Sequence, residues 1–434
     1  MKTIKYILLM IAIQFAINAQ AQTQLSLEQA IALGLQQSKY LKLDSAKIEE
    51  TTAKLIAAKN RQLPGLDVQA SYLRLNNAAI DMKNKNPNGQ MGGIPKINNV
   101  IYGNISASYP LYTGGKIKNG IESARYLINA AQLNRENDKN IIALNIAQAY
   151  NNLFKADQII SVLRENLKAS QKRDSTFIRL EDNGLMARND RLKAALQTYN
   201  TELQLLDAEN NYAVTMVNMD LLLGLPDSTL LQTDTTYLNH TIENQPLSFY
   251  MGHALTSRKD LDAIRNQLLS ATFNTKIAKA ESLPSIALTG GYLAGLIPGF
   301  VSVTNALNIG IGVQYNLASL WKKNSDLIQS KSIEKELGLN SEVLSDKIKL
   351  ELNKDFLNYQ LSNKKIEVYR KALEQAIEND RITTNKYKNS LVNIDDLLEA
   401  EAMLLTTKIN VLNARADAVL AHKKLLQTTG ILVD

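Results

Sequence analysis

The 434-residue chain has no cysteine. Disulfides, thiolate metal sites and a lipid anchor on an N-terminal cysteine are thereby excluded. Proline is scarce: the eight stand at 64, 87, 95, 110, 226, 246, 284 and 298, so nothing between Pro110 and Pro226 or after Pro298 would break a helix. The three histidines, His240, His253 and His422, are far apart, and there is no phosphate loop, nucleophile elbow or zinc motif. No cofactor, metal or catalytic residue is therefore expected. Long hydrophobic runs are absent as well. Beyond residue 17 no segment is apolar enough for a transmembrane helix, which leaves a soluble chain or one that crosses a membrane as a β-barrel. Charge of one sign is in small excess, a formal +7 spread along stretches that also carry Asp and Glu, which argues against nucleic acid as a partner.

At the N-terminus Lys2 and Lys5 precede an apolar run from Tyr6 to Ile17 and then Ala19-Gln20-Ala21. This is the three-part pattern of a cleaved secretory signal, residues 1–21, too short to serve as a membrane-spanning anchor.

The rest is written twice. At an offset of 220, Leu27, Leu35, Leu41, Lys59, Leu63, Pro64 and Tyr72 fall on Leu247, Leu255, Leu261, Lys279, Leu283, Pro284 and Tyr292. At an offset of 206, Tyr109, Leu111, Lys116, Leu185, Asp190, Leu192 and Gly224 fall on Tyr315, Leu317, Lys322, Leu391, Asp396, Leu398 and Gly430. The change of offset puts the extra residues in the polar, glycine-rich loop Asn76–Asn99. A unit this long is no solenoid repeat but one of two equivalent structural repeats, 22–224 and 246–434, joined by a linker at 225–245.

Each repeat mixes two periods. Ile142, Ile146, Ala149 and Leu153, and again Leu352, Phe356 and Tyr359, recur at three and four and predict amphipathic helices. A helix over Lys116–Asn183 would extend about 100 Å. Between the helices the period is two: Leu307, Ile309, Ile311, Val313, Tyr315 and Leu317 alternate with Asn308, Gly310, Gly312, Gln314 and Asn316. Strands are expected near 66–76, 100–112, 285–294 and 306–317, with a second hairpin loop near Ala294–Asn305. Each strand is as long as a tilted membrane-spanning strand, yet four cannot close a barrel alone, so spanning demands an oligomer. Helix-to-helix turns are expected near Gly184 and Ser390.

Three phrases, YPLYTGG over 109–115, NGLMARNDRLKAA over 183–195 and YKNSLVNIDDLLEA over 387–400, stand in this order on the duplicated frame. With them the chain resembles the TolC-like outer-membrane efflux protein family over essentially its whole mature length. The resemblance implies a mainly α fold with a small β part. Long antiparallel helices would form an α-barrel tunnel, and four strands per chain would complete a trimeric 12-stranded transmembrane β-barrel. It also implies a homotrimer in the outer-membrane lipid of a Gram-negative cell, extending into the periplasm. A periplasmic adaptor and an inner-membrane transporter would be its partners, and the duct would pass small molecules in efflux or type I secretion. The alternative from the residues is a periplasmic coiled-coil scaffold without a pore.

By the same resemblance Asp396, Glu399 and Tyr387 form a candidate periplasmic gate, and Gly184, Leu185, Asp190, Ser390 and Leu391 are turn tips for adaptor contact. Asp396 and Glu399 share one helix face, but a carboxylate there also suits a helix N-terminus, and a capping role is equally open to Asp190. The pattern departs from the family at two places: its glycine is Ser390, and a basic residue is replaced by Val392. Tyr109, Tyr112, Tyr315 and Trp321 fall where strands meet helices, as membrane-interface aromatics do, although packing against a helix end also accounts for them.

Overall fold

The computed structural model describes residues 23–78, 97–227, 229–239 and 245–433; the signal segment and most of the Asn76–Asn99 loop lie outside these. The elements run β1 (Thr23–Leu25), α1 (Leu27–Gln37), α2 (Lys39–Asn60), β2 (Gly65–Ala78), β3 (Ile97–Tyr112), α3 (Lys116–Asp182), α4 (Arg188–Leu223) and β4 (Leu231–Thr233). After a short 3-10 helix come α5 (Leu247–Ser257), α6 (Lys259–Ala280), β5 (Ser285–Ile297), β6 (Val301–Gln314), α7 (Ser325–Lys388) and α8 (Ile394–Thr429). Helices of 11, 22, 67 and 36 residues in the first half are matched by 11, 22, 64 and 36 in the second. Among the described residues no helix is long and apolar enough to cross a membrane.

Two compact units emerge, each drawing on both halves of the sequence. One, residues 46–132 and 262–342, holds a four-stranded antiparallel sheet in the order β2-β3-β5-β6. Directly opposed residues of antiparallel strands share a face. Val68, Ile105, Tyr292 and Leu307 thus make one cross-sheet row, and Leu66, Ala107, Gly290 and Ile309 the next. The other face carries Asp67, Ser106, Gly291 and Asn308, then Gln69 and Asn104 in a row with Leu293 and Ala306. Among the described residues the apolar face is uncovered: Leu307, Ile309, Ile311 and Val313 are 80%, 82%, 68% and 68% exposed. β2 and β6 are edges with no partner strand among the described residues.

The second hairpin departs from expectation. β5 continues to Ile297, a three-residue turn carries Gly299 at φ 75°, and β6 begins at Val301, so the Ala294–Asn305 loop is mostly strand. Its apolar residues Leu296, Ile297, Val301 and Val303 belong to the ladder. At the other end β6 stops at Gln314; Asn316 accepts a hydrogen bond from the Ala318 amide at 3.1 Å and opens a 3-10 turn that takes up Leu317. Strand β3 passes into α3 through Gly114 and Gly115, both at positive φ. A Cβ on Gly114 would lie 3.1 Å from the Ala280 carbonyl, which explains the glycine in the YPLYTGG phrase.

The other unit contains residues up to Ser45, Leu133–Leu261 and from Val343 onward. Its larger core gathers Ile146, Tyr150, Leu153, Phe154, Met219 and Leu223, and the smaller one Tyr250, Ile348, Leu352, Tyr359 and Leu425. Tyr150 donates its hydroxyl to the Leu25 carbonyl at 2.9 Å and accepts from the Asp234 amide at 2.8 Å, tying the 225–245 segment to the core; burial pushes that hydroxyl up to about 12. Leu231 and Tyr237 of the same segment are buried with it.

Asp220, in the last turn of α4, is wholly buried with no hydrogen-bond partner for either carboxylate oxygen, and burial raises its pKa. A raised carboxylate pKa favours folding when protonated and loses that contribution as pH climbs above the unfolded value of 3.8. Asp220→Asn is therefore expected to gain about 1 kcal/mol at pH 7, where a charge at a helix C-terminus is opposed, and to gain nothing at pH 3. Thermal denaturation in detergent at the two pH values checks this.

Candidate functional site: the paired helix turns

The α3–α4 turn is closed by Gly184 at φ 72°, whose amide donates to the Glu181 carbonyl at 2.8 Å while the Leu185 amide reaches the Leu180 carbonyl at 2.8 Å. The α7–α8 turn repeats this geometry with Ser390 at φ 58°: its amide donates to the Tyr387 carbonyl at 2.9 Å, and the Leu391 amide to the Lys386 carbonyl at 2.9 Å. Both turns present a leucine outward, Leu185 at 75% and Leu391 at 72% exposure. Serine is forced there into a conformation that costs an L-residue about 1–2 kcal/mol. Ser390→Gly is expected to raise stability by about 1 kcal/mol, read as a higher Tm beside a Gly184→Ala variant that falls by a similar amount.

The turns are held together from within. Phe177, Ala194, Ile394 and Leu397 form a buried cluster with Leu180, Met186 and Tyr387 against it, and the Phe177 and Tyr387 rings sit 5.9 Å apart at 53°. Lys193 of α4 and Asp395 of α8 pair at 2.7 Å. A cavity of 660 Å³ opens beside this cluster, with Phe177, Leu180, Asp190, Tyr387, Ile394 and Leu397 among its walls. Burial pushes the Tyr387 hydroxyl pKa up, Asp190 adds to the effect and Arg173 opposes it.

Of the sequence candidates, Gly184, Leu185, Asp190, Tyr387, Ser390 and Leu391 are therefore brought to one place. Asp396 and Glu399 are exposed on the first turns of α8. Asp396 closes a capping box: the Asn393 side chain accepts from the Asp396 amide at 2.9 Å and the Asp396 carboxylate from the Asn393 amide at 3.3 Å. Asp190 stands third in α4, but the capping position is Ala187, which offers no side-chain cap, and Asp190 faces Tyr387 instead. In the strand unit Tyr109 and Tyr112 of β3 pair with Leu288 and Ile286 near the start of β5, Tyr315 follows the end of β6, and Trp321 closes the 3-10 turn; all four are exposed.

Sequence reasoning missed the charges inside the helical unit. Arg173 of α3 is almost buried and ion-paired with Glu401 of α8, beside a cavity of 210 Å³ shared with Asp380 and Lys408. Desolvation lowers the Arg173 pKa and raises that of Asp380. The available signal was a charged residue on a buried stripe, since Arg173 lies on the helix face of Ser170 and Phe177. Among the described residues no group of three or more His, Cys, Asp or Glu could hold a metal ion.

The family model for outer membrane efflux proteins matches residues 19–225. Over 331 residues the chain is 22% identical to the outer membrane efflux protein BepC of Brucella suis biovar 1, spanning 75% of this chain and 71% of that one. Its fold matches that of the outer membrane protein VceC from Vibrio cholerae with a TM-score of 0.76 at 19% identity, over 93% of this chain and 96% of the other. CusC, a protein that forms a transmembrane channel, matches with a TM-score of 0.79 at 19% identity, over 94% and 92%. Residues 19–225 thus match the outer membrane efflux protein family, and more than nine tenths of the chain shares the fold of solved outer-membrane channels.

Proposed function

We propose that the chain is the outer-membrane exit duct of a tripartite efflux or type I secretion system, a homotrimer that passively conducts small molecules delivered by an inner-membrane pump. The observation that carries this reading is the sheet: a largely apolar face across four strands, uncovered among the described residues, with an open edge on each side. Pairing β6 of one copy with β2 of the next gives twelve strands after three copies and leaves no edge. The apolar face then meets lipid, the polar face meets water, and Tyr109, Tyr112, Tyr315 and Trp321 sit at the interface. The helical turns, tipped by Leu185 and Leu391, are the contact for a periplasmic adaptor. A periplasmic scaffold without a pore would leave that apolar face in water.

In the trimer Asp396 and Glu399 would form stacked carboxylate rings at the tunnel mouth, with Tyr387 behind them helping to hold it narrow. Such rings favour cations. The capping role of Asp396 is compatible with this, because the Asn393 amide takes one carboxylate oxygen, Oδ2, and the side chain is exposed. Single-channel recording in planar bilayers, with oligomeric mass measured on the same sample, is the test. A trimer with a small cation-preferring conductance is expected, and a soluble monomer that opens no channel would end the duct reading. Asp396→Asn combined with Glu399→Gln is expected to raise the half-blocking concentration of a multivalent cation about tenfold, a change of ~1.4 kcal/mol; unchanged block would remove the pair from the gate.

A further inference from the structure

Strand β6 changes phase before it reaches its hairpin. From Leu307 to Val313 its odd-numbered residues lie on the apolar face, Leu307 opposite Tyr292 and Ile311 opposite Leu288. Between Ala306 and Val303 the register shifts, so that Thr304 and Asn305 together stand against Ala294 alone. This is a β-bulge, and one extra residue turns the rest of a strand over. Asn305 makes the bulge at φ 60°, with its amide donating to the Tyr292 hydroxyl at 3.2 Å; asparagine is one of the few L-residues that enter this region readily. Beyond the bulge Val303 opposes Gly295 and Val301 opposes Ile297, which puts both valines on the face of Asp67 and Asn308. Ser302, opposite Leu296, goes to the face of Leu307 instead.

That face grows apolar toward the hairpins, the end of the sheet away from the helices. The row of Asp67 and Asn308 is polar, and the row of Gln69 and Asn104 already includes Leu293 and Ala306. The last row before the hairpins is Leu73, Val100, Ile297 and Val301, in which Val100 and Ile297 stand one residue beyond the opposed pair Ile101 and Leu296. The inside of a membrane barrel is ordinarily polar, so a wholly apolar row there calls for a reason of its own.

We infer that this row is an apolar collar at the outer mouth of the duct, built by four side chains from each copy, and that it selects cargo by apolar surface. A hydrophobic constriction holds water poorly and is a barrier to hydrated ions. An organic molecule that carries alkyl or aromatic groups gains instead by burying them against the collar. The carboxylates at the helix turns favour positive charge, and the collar at the far end favours an apolar body. Together they fit amphipathic organic cations. This assignment rests on the trimeric duct proposed above and adds the chemical class of what it passes.

Tetraalkylammonium ions added on the hairpin side of a planar bilayer are the probe. Tetrabutylammonium is expected to block the full-length channel at a concentration about tenfold lower than tetraethylammonium, since longer arms bury more apolar surface. Val100→Thr with Val301→Thr keeps the branched shape and adds a hydroxyl to each. It is expected to abolish that difference while block by multivalent cations from the side of the turns stays as it was. The absence of cysteine makes the bulge testable as well. A charged, water-borne thiol reagent is expected to step down the current through Val301→Cys and to leave Ser302→Cys unaltered. Reaction at Ser302→Cys in place of Val301→Cys overturns the collar and leaves the duct standing, as does block that ignores alkyl length or is unchanged in the threonine variant. A chain that opens no channel overturns both.

Discussion

Lysine in place of Ile309 is expected to cost the assembled protein about 2–4 kcal/mol, the penalty for a cation on the lipid face of a barrel near mid-membrane, and to deplete trimer from the outer-membrane fraction. Ile309 lies mid-strand in β6, 82% exposed, in the row it shares with Leu66, Ala107 and Gly290. The same substitution one residue earlier, Asn308→Lys, falls on the face of Asp67 and Ser106 and is expected to cost less than about 1 kcal/mol, as on a wetted lumen. Unfolding from lipid vesicles measures the two costs and membrane fractionation the yields. The contrast matters more than either number. Two variants that behave alike would mean that the apolar face does not meet lipid.

Arg173→Ala is expected to destabilise the helical unit by about 3 kcal/mol, the lower end of the range for breaking one partner out of a buried ion pair. The guanidinium is only 14% exposed, pairs with Glu401 and is drawn on by Asp174 and Asp380. Its loss leaves three carboxylates, Glu165, Asp380 and Glu401, around a small cavity with Lys408 as the remaining cation. Arg381→Ala, which breaks the exposed pair with Glu378, is expected to cost under about 1 kcal/mol. Replacing both members, Arg173→Met with Glu401→Met, should recover most of the loss, because apolar side chains of similar size avoid the desolvation that the pair must overcome. Thermal denaturation of the three variants in one detergent gives the comparison. Equal stability of Arg173→Ala and Arg381→Ala would show that the pair is solvated in the assembled protein.

Much of this could be read from residue order, for a physical reason. The alternation of Leu307, Ile309, Ile311 and Val313 and the three-four spacing of Ile142, Ile146, Ala149 and Leu153 are set by backbone periods of two and 3.6, which act between near neighbours. The proline-free window from Pro110 to Pro226 bounded α3 and α4 to within a few residues, whereas the one after Pro298 also takes in β6, and Gly184 marked its turn because a left-handed residue is a local need. Ser390 marked the second turn only by its place in the repeat, since nothing in a serine announces positive φ.

The remainder was decided by the tertiary structure. Four separately amphipathic strands give one apolar face only in one register, since a slip of one residue turns a strand's side chains over. The ladder, not the local alternation, also extended β5 to Ile297 and drew β6 back to Val301, satisfying backbone groups that a loop would have left to solvent. Arg173 finds Glu401, and Lys193 finds Asp395, across helices far apart in sequence, where no local pattern pairs them. The sequence by itself determined which segments are helix and strand and which side of each is apolar. Which faces meet is a property of register and helix order, and these depend on contacts between distant residues that no local period encodes.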